Sequence, residues 1–197
     1  MSTILRDEPE TVSNFDLIEI ENAVIPDVER FARALIEERR LAIPVSVERI
    51  ELASVSEDLG CGVGGLADVE GYDSFFAWSQ KWISEFARRV DGKAVNLKLI
   101  HARQPMCPRF HMDFVPMRFI STLSGPGSEW VKGEDVRYLA DGTISQELNS
   151  KEIQYMKPGS VGFFRGCYGQ TTPTGGVVHR SPQSNQDRVL LKMDLVA

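Results

Sequence analysis

Cysteine is scarce in this sequence, and its few positions exclude one class of fold. The chain contains three cysteines, Cys61, Cys107 and Cys167, at scattered spacings. An odd number without paired spacing does not fit the disulfide framework of a small secreted domain and favours reduced thiols in a cytosol. We therefore expect a cytoplasmic protein.

Long hydrophobic runs and an excess of positive charge are also missing. No apolar run approaches the length of a membrane span, and residues 1–16 contain no apolar core of a secretory signal. The formal net charge is −6, whereas a nucleic-acid partner usually requires a basic surface. We therefore expect no membrane and no nucleic-acid partner, and a substrate that is a small molecule, a peptide or a protein. The oligomeric state is left open.

The first half of the chain is mainly helical in pattern. Helical spacing of apolar residues predicts helices over 26–40 and 73–90, the second capped by Asp73 or Ser74, with a strand over 46–55 between them. The glycine-rich stretch 57–71 is interpreted as a loop. Its "GCGVGG" formally matches G-x-G-x-x-G, but no proper helix is expected to open there, so a dinucleotide site is not predicted.

The second half reads as short strands separated by turn signals. Strand candidates lie in 94–103, 109–114, 117–123, 125–131, 158–166, 175–181 and 187–195, with a hairpin around Asp141-Gly142. This pattern favours a β-sandwich or small barrel, with the two helices on the outside of one sheet. We expect one domain over 1–197, in which 1–93 is a mixed helical part packed on the sheet and 94–197 is the β core that carries the site.

Three residues are candidates for a metal site. His111 and Asp113 alternate in "RFHMDF", so in a strand both side chains project from one face. Burying an imidazole beside a carboxylate is costly without a partner, and a divalent metal is one such partner. His179, 66 residues after Asp113, could complete the set of two histidines and one carboxylate that binds Fe(II) in non-haem oxygenases.

Two arginines are candidates for binding a carboxylate co-substrate. Arg188 follows His179 by nine residues, and a buried guanidinium can grip a carboxylate through two parallel hydrogen bonds. Arg118 lies in an apolar strand and either faces the cavity or extends to the surface.

Together these residues resemble the Fe(II)/2-oxoglutarate-dependent dioxygenase superfamily, over about residues 94–197. The resemblance lies in H-x-D at His111 and Asp113, the distal His179, and Arg188 in "DRVLLKMDL". It implies a double-stranded β-helix, the jelly roll of cupin-like proteins. It also implies Fe(II) held by His111, Asp113 and His179, 2-oxoglutarate held by Arg188, and hydroxylation of a substrate. Leu190 stands where the superfamily often has Ser, two residues after the arginine.

A second resemblance covers most of the chain. "CPRFHMDFVPMRFISTLSGPGSEW" is similar to a bacterial family classed as a domain of unknown function, whose members are often encoded near zinc-homeostasis genes. This keeps a second hypothesis open, a non-enzymatic zinc-binding or metal-homeostasis protein on the same fold.

Several alternatives stand beside the metal hypothesis. Cys107, His111, Cys167 and His179 could form a closed Cys2His2 zinc site. His111 and Asp113 could be a hydrogen-bonded pair without metal, as in a metal-free cupin-like binding module. Arg188 could form a salt bridge with Asp187 or Asp194, and His101 is interpreted as a core or rim histidine at the end of a strand.

Overall fold

The computed structural model describes residues 17–169 and 175–196 and consists of three helices and nine strands over these ranges. The helices are α1 (Pro26–Glu37), α2 (Val55–Val63) and α3 (Tyr72–Arg89). The strands are β1 (Leu17–Ile20), β2 (Val45–Glu51), β3 (Ala94–Ala102), β4 (Met117–Ser124), β5 (Glu129–Val131), β6 (Ile153–Tyr155), β7 (Val161–Arg165), β8 (Val178–Arg180) and β9 (Arg188–Leu195).

The strands form two antiparallel sheets. The larger has the order β1-β7-β4-β9-β3-β2 and the smaller the order β6-β5-β8. A backbone bridge between His111 and His179 extends the smaller sheet beyond β8. Ile120 and Leu190 of the larger sheet pack with Trp130 of the smaller sheet and with Met156, which follows β6. This arrangement is a double-stranded β-helix with flanking helices, as the sequence predicts.

The outer face of the larger sheet is covered by helices. Alternate residues of β3 and β9 contact α1 and α3 in one continuous apolar core. Trp78 and Trp82 of α3 contact Phe119 of β4 through their rings. The predicted placement of the helices is therefore confirmed, because strand alternation turns every second apolar side chain toward them.

The prediction of a loop over 57–71 is wrong in its first part. Residues 55–63 form α2, followed by a short 3-10 turn at Gly64–Leu66. Leu59 and Val63 are buried, and a Cβ on Gly62 would lie 2.2 Å from Val47 Cγ2 of β2. Glycine costs helix stability, up to about 1 kcal/mol per residue, but here its missing side chain lets the helix pack closely on the strand.

The predicted cap of α3 is also wrong. The helix begins after Gly71, and neither Asp73 nor Ser74 caps it. Gly71 has φ +83°, and a Cβ there would lie 2.5 Å from the carbonyl oxygen of Asp27 in α1. A left-handed backbone in close contact with a neighbouring helix requires glycine, and this tertiary contact decides where the helix starts.

The predicted strand over 109–114 is reduced to one bridging residue. Only His111 pairs, through hydrogen bonds of 3.0 and 2.9 Å with the backbone of His179. The hairpin at Asp141-Gly142 is confirmed in a minimal form, with a bridge between Tyr138 and Ile144 and φ +80° at Gly142.

The N-terminal part contributes directly to the larger sheet. β1 pairs with β7, and β2 pairs with β3. The single-domain prediction itself stays a prediction, and the interpretation of residues 1–16 lies outside the described residues. Within 17–169 and 175–196, no helix combines the length and apolarity required to cross a membrane.

Candidate metal centre

His179 lies close to His111 and Asp113, although at least 66 residues separate them in sequence. One ligand atom from each of His111, Asp113 and His179 lies within 4.8 Å of the other two. His179 Nε2 is 3.2 Å from Asp113 Oδ2, and His111 Nε2 is 3.7 Å from Asp113 Oδ1. Two ligands about 2.1 Å from a metal ion and at right angles to each other lie about 3 Å apart, so these spacings fit a shared ion.

Backbone pairing brings the two histidines together. The bridge between His111 and His179 places their ring centroids 4.6 Å apart. Hydrogen bonds between Cys107 and Ser181 continue this pairing in the chain direction away from Asp113. The loop that follows His111 is fixed by the backbone N–H of Cys167, which donates to the carbonyl oxygen of Asp113 at 2.9 Å.

Backbone carbonyls fix the orientation of both imidazole rings. His111 Nδ1 lies 2.9 Å from the oxygen of Arg109, and His179 Nδ1 lies 3.0 Å from the oxygen of Val177. A carbonyl only accepts, so each Nδ1 carries the proton and each Nε2 is directed at Asp113. Burial, followed by the charge of His179, lowers the pKa of His111 below its ordinary 6.5. His111 is therefore neutral at pH 7 and presents a lone pair on Nε2.

The carboxylate of Asp113 is ionised and only half satisfied. Burial opposes its ionisation, but His179 and the charge of Arg118 outweigh this and lower its pKa to about 2. Arg118 donates to Oδ1, whereas the buried Oδ2 has no donor among the described residues, because His179 Nε2, 3.2 Å away, presents a lone pair in the tautomer assigned above. An unsatisfied buried anionic oxygen is costly, and a cation bound between the two histidines would satisfy it.

Arg118 is held between two carboxylates. Its Nε and Nη2 donate to Asp194 at 2.6 and 2.8 Å, and its Nη1 donates to Asp113. Asp194 faces Arg118 across the β4–β9 ladder. The guanidinium is therefore partly buried, and in the described chain its donors are directed at protein carboxylates. The prediction that Arg118 binds a co-substrate is not tested by this geometry.

Arg188 is buried, and no carboxylate of the described residues pairs with it. Its side chain donates to Thr122 Oγ1 at 3.0 and 2.8 Å and to Ser128 Oγ at 2.8 Å. Neither acid that the sequence offered as a partner is used, because Asp187 bonds to His101 at 2.6 Å and Asp194 to Arg118. Burial alone lowers the pKa of Arg188, to about 10, so it stays charged at pH 7.

The Cys2His2 arrangement does not form. Cys107 is exposed, and among residues 17–169 and 175–196 the one metal-binding group of histidine, cysteine and acidic residues contains neither Cys107 nor Cys167. His101 also lies outside this group, with its side chain buried against Asp187.

Sequence reasoning missed two residues of the site and gave a third the wrong partner. Thr122 and Ser128 support Arg188, and Asp194 holds Arg118. Strand alternation carries a signal for Asp194, because Arg188 and Asp194 lie an even number of residues apart in β9 and share a face. The partners of Arg188 lie on other segments, so strand pairing had to be known before they could be found.

The chain matches the family described as "Protein of unknown function (DUF1826)" over residues 12–194. It belongs to this family. No curated protein matches the chain.

The fold of this DUF1826 protein is similar to those of two plant enzymes. A dioxygenase for auxin oxidation from rice has a TM-score of 0.57 and 14% identity, over 93% of this chain and 74% of that one. Dioxygenase for auxin oxidation 1 from Arabidopsis thaliana, in a binary complex with 2-oxoglutarate, has a TM-score of 0.54 and 9% identity, over 93% and 84%. At these identities the similarity shows a shared fold.

Proposed function

We propose that this DUF1826 protein is an Fe(II)- and 2-oxoglutarate-dependent oxygenase that hydroxylates an organic substrate. The observation that carries the proposal is the carboxylate of Asp113, which lies beside two imidazoles oriented by backbone carbonyls and whose Oδ2 is unsatisfied among the described residues. Two histidines and one carboxylate leave coordination positions open, as the facial triad of non-haem iron oxygenases does.

The second support is the position and environment of Arg188. A buried guanidinium without a carboxylate partner is suited to an anionic ligand, and the Thr122 and Ser128 hydroxyls can donate their own protons to the same anion. We assign the distal carboxylate of 2-oxoglutarate to this position. The two hydroxyls supply donors that Leu190 cannot.

In this proposal each residue has one task. His111, His179 and Asp113 hold the metal, Arg118 fixes Asp113, and Arg188 orients the co-substrate. Fe(II) with 2-oxoglutarate supplies oxidation of a C–H bond by O2, with release of succinate and CO2; this chemistry belongs to the cofactor. The apolar residues between the sheets, among them Ile120 and Leu190, limit the access of water.

The test is 2-oxoglutarate turnover and binding. Protein purified without oxygen or chelator and loaded with Fe(II) should release succinate from 2-oxoglutarate, and His111→Ala should not. His101→Gln is the matched control, because His101 is a buried histidine outside the metal group. Since turnover depends on the primary substrate, the charge-transfer band of the anaerobic Fe(II)–2-oxoglutarate complex is measured as well.

The outcomes separate the enzyme from a zinc protein. A band that depends on both Fe(II) and 2-oxoglutarate in wild type, and is lost in His111→Ala, supports the oxygenase. Tight zinc that Fe(II) does not replace, together with no binding of 2-oxoglutarate, contradicts it.

A further inference from the structure

The inner face of the larger sheet carries charge that its outer face lacks. In β9, Arg188, Leu190, Lys192 and Asp194 alternate with the core residues that contact the helices. Leu190 packs with Ile120 and with Trp130 of the smaller sheet, so this row faces the space between the sheets. Lys192 therefore lies on the same face as the Arg118–Asp194 pair that holds Asp113.

Lys192 lies between a second lysine and an apolar side chain. The strand register aligns it with Lys98 on β3 and with Ile120 on β4. Like charges directly opposite each other on one sheet face are destabilising unless something compensates them. Both lysines are half-buried, so water screens their charges only in part.

Among residues 17–169 and 175–196, no carboxylate forms an ion pair with either lysine. Asp113 and Asp194, whose charges act on Lys192, both accept from Arg118. Glu48 lies on the same face as Ser46, the strand partner of Lys98, and accepts from the Ser46 hydroxyl. Burial lowers the pKa of Lys192, and the charges of Arg118 and Lys98 lower it further, against Asp194 and Asp113. The ammonium thus feels the charges of the metal site although no carboxylate of the described chain pairs with it.

The balance of charged groups on the inner face indicates what kind of ligand the two lysines bind. The central strands β4, β9 and β3 carry four cations on the inner face, Arg118, Arg188, Lys98 and Lys192, against Asp194 and the adjacent Asp113. The other two acids of this face, Glu19 and Glu48, lie on the edge strands β1 and β2 and accept hydrogen bonds from Lys157 N and Ser46 Oγ. Fe(II) carries two positive charges and 2-oxoglutarate carries two negative charges, so together they leave the balance unchanged. On the central strands two positive charges then remain, on Lys98 and Lys192, in a chain whose formal net charge is −6. A cleft of one sign concentrates ligands of the other.

We infer that Lys98 and Lys192 bind the anionic group, a carboxylate or a phosphate, of a small acidic primary substrate. This inference rests on the proposed oxygenase function and adds the chemical class of its substrate. The anion is held beside the metal site on the sheet face that Arg188 shares, so the reactive carbon of the substrate lies a short distance from its acidic group.

The test titrates simple anions into protein whose lysines carry 13C-methyl groups introduced by reductive methylation. Acetate and inorganic phosphate are added separately to anaerobic protein loaded with Fe(II) and 2-oxoglutarate. The signals of Lys98 and Lys192, assigned from Lys98→Met and Lys192→Met, should shift and saturate. The anion that saturates at lower concentration identifies the acidic group.

The variants decide whether these lysines are responsible. Lys192→Met should weaken anion binding at least tenfold, Lys192→Arg should retain it, and the exposed Lys151→Met should leave it unchanged. Thermal unfolding of each variant checks that it is folded. No saturable shift in wild type, or equal weakening by Lys151→Met, contradicts the inference.

Failure of the inference differs from failure of the proposed function. If Lys192→Met weakens 2-oxoglutarate binding itself tenfold, the lysine serves the co-substrate and the inference is wrong, while the oxygenase proposal stands. If wild type shows no Fe(II)–2-oxoglutarate band, the proposed function is wrong, and the substrate assignment is overturned with it.

Discussion

The two faces of the larger sheet belong to the same strands but differ in almost every property. The outer face is apolar and covered by α1 and α3, with Leu97, Leu191 and Met193 fully buried. The inner face carries Arg118, Lys192 and other charged groups that interact around the candidate metal centre. Residues that stabilise the fold and residues of the candidate site alternate along the same strands. They are therefore separated by the sheet face they occupy and not by their distance in sequence.

The largest effect is expected from a substitution in the apolar core on the outer face. Leu97→Ala removes a fully buried side chain and should lower the free energy of unfolding by about 2–5 kcal/mol, because a cavity remains. Denaturant unfolding measures this. Metal affinity of the folded protein should be unchanged, since β3 carries no metal ligand. A metal affinity that falls together with stability would show that the faces are coupled.

The next effect concerns the buried cation of the inner face. Arg188→Met should weaken 2-oxoglutarate binding about 30-fold or more, as removal of one partner of a buried charge pair costs 2–5 kcal/mol. Stability without ligand should stay the same or rise, because the guanidinium is buried without a carboxylate. Calorimetric titration and thermal unfolding measure both. A large loss of stability would show that Arg188 is structural.

A smaller effect is expected at the pair that holds Asp113. Arg118→Met should lower the affinity for Co(II), used as a probe of the iron site, about 10- to 100-fold, since groups that orient metal ligands contribute this much. Asp194→Asn should act in the same direction, and the double variant should be no worse than Arg118→Met. Arg137→Met, which removes a surface ion pair with Glu152, is the control. Unchanged Co(II) affinity in Arg118→Met would contradict the role.

The smallest effect is expected from replacing two cysteines, which distinguishes the His-Asp-His group from a Cys2His2 site. Cys107→Ser combined with Cys167→Ser should change neither metal stoichiometry nor affinity, because the thiols lie outside the metal-binding group. Metal analysis after dialysis checks this. Loss of bound zinc in the double variant would restore the Cys2His2 hypothesis.

Much of the fold was predictable because it depends on local periodicity. The spacing of Phe31, Trp78 and their neighbours gave the two long helices, and alternation gave most of the strands. The short β1 and β6 were missed, and α2 was mistaken for a loop because its glycines oppose helix formation locally. The contact between Gly62 and Val47 lies between segments distant in sequence, so no local pattern records it.

For the candidate site, the residues themselves could be predicted from the sequence, but their contacts could not. Residue types and spacing along the chain pointed to His111, Asp113, His179 and Arg188, and the structure brings the first three together. The surroundings of each residue were not readable, because they come from strand register. Arg118 faces Asp194 only because β4 pairs with β9, and Lys192 faces Lys98 only because β9 pairs with β3.

The sequence by itself determined the donor set, the alternation of the strands and the amphipathic helices, because these depend on residue chemistry and short-range spacing. Only the tertiary structure decided that Asp113 shares Arg118 with Asp194, that Arg188 has hydroxyl partners and no carboxylate partner within 17–169 and 175–196, and that two lysines share the inner face. The physical reason is that strand pairing sets which side chains meet, and burial then determines which charges are left without a partner.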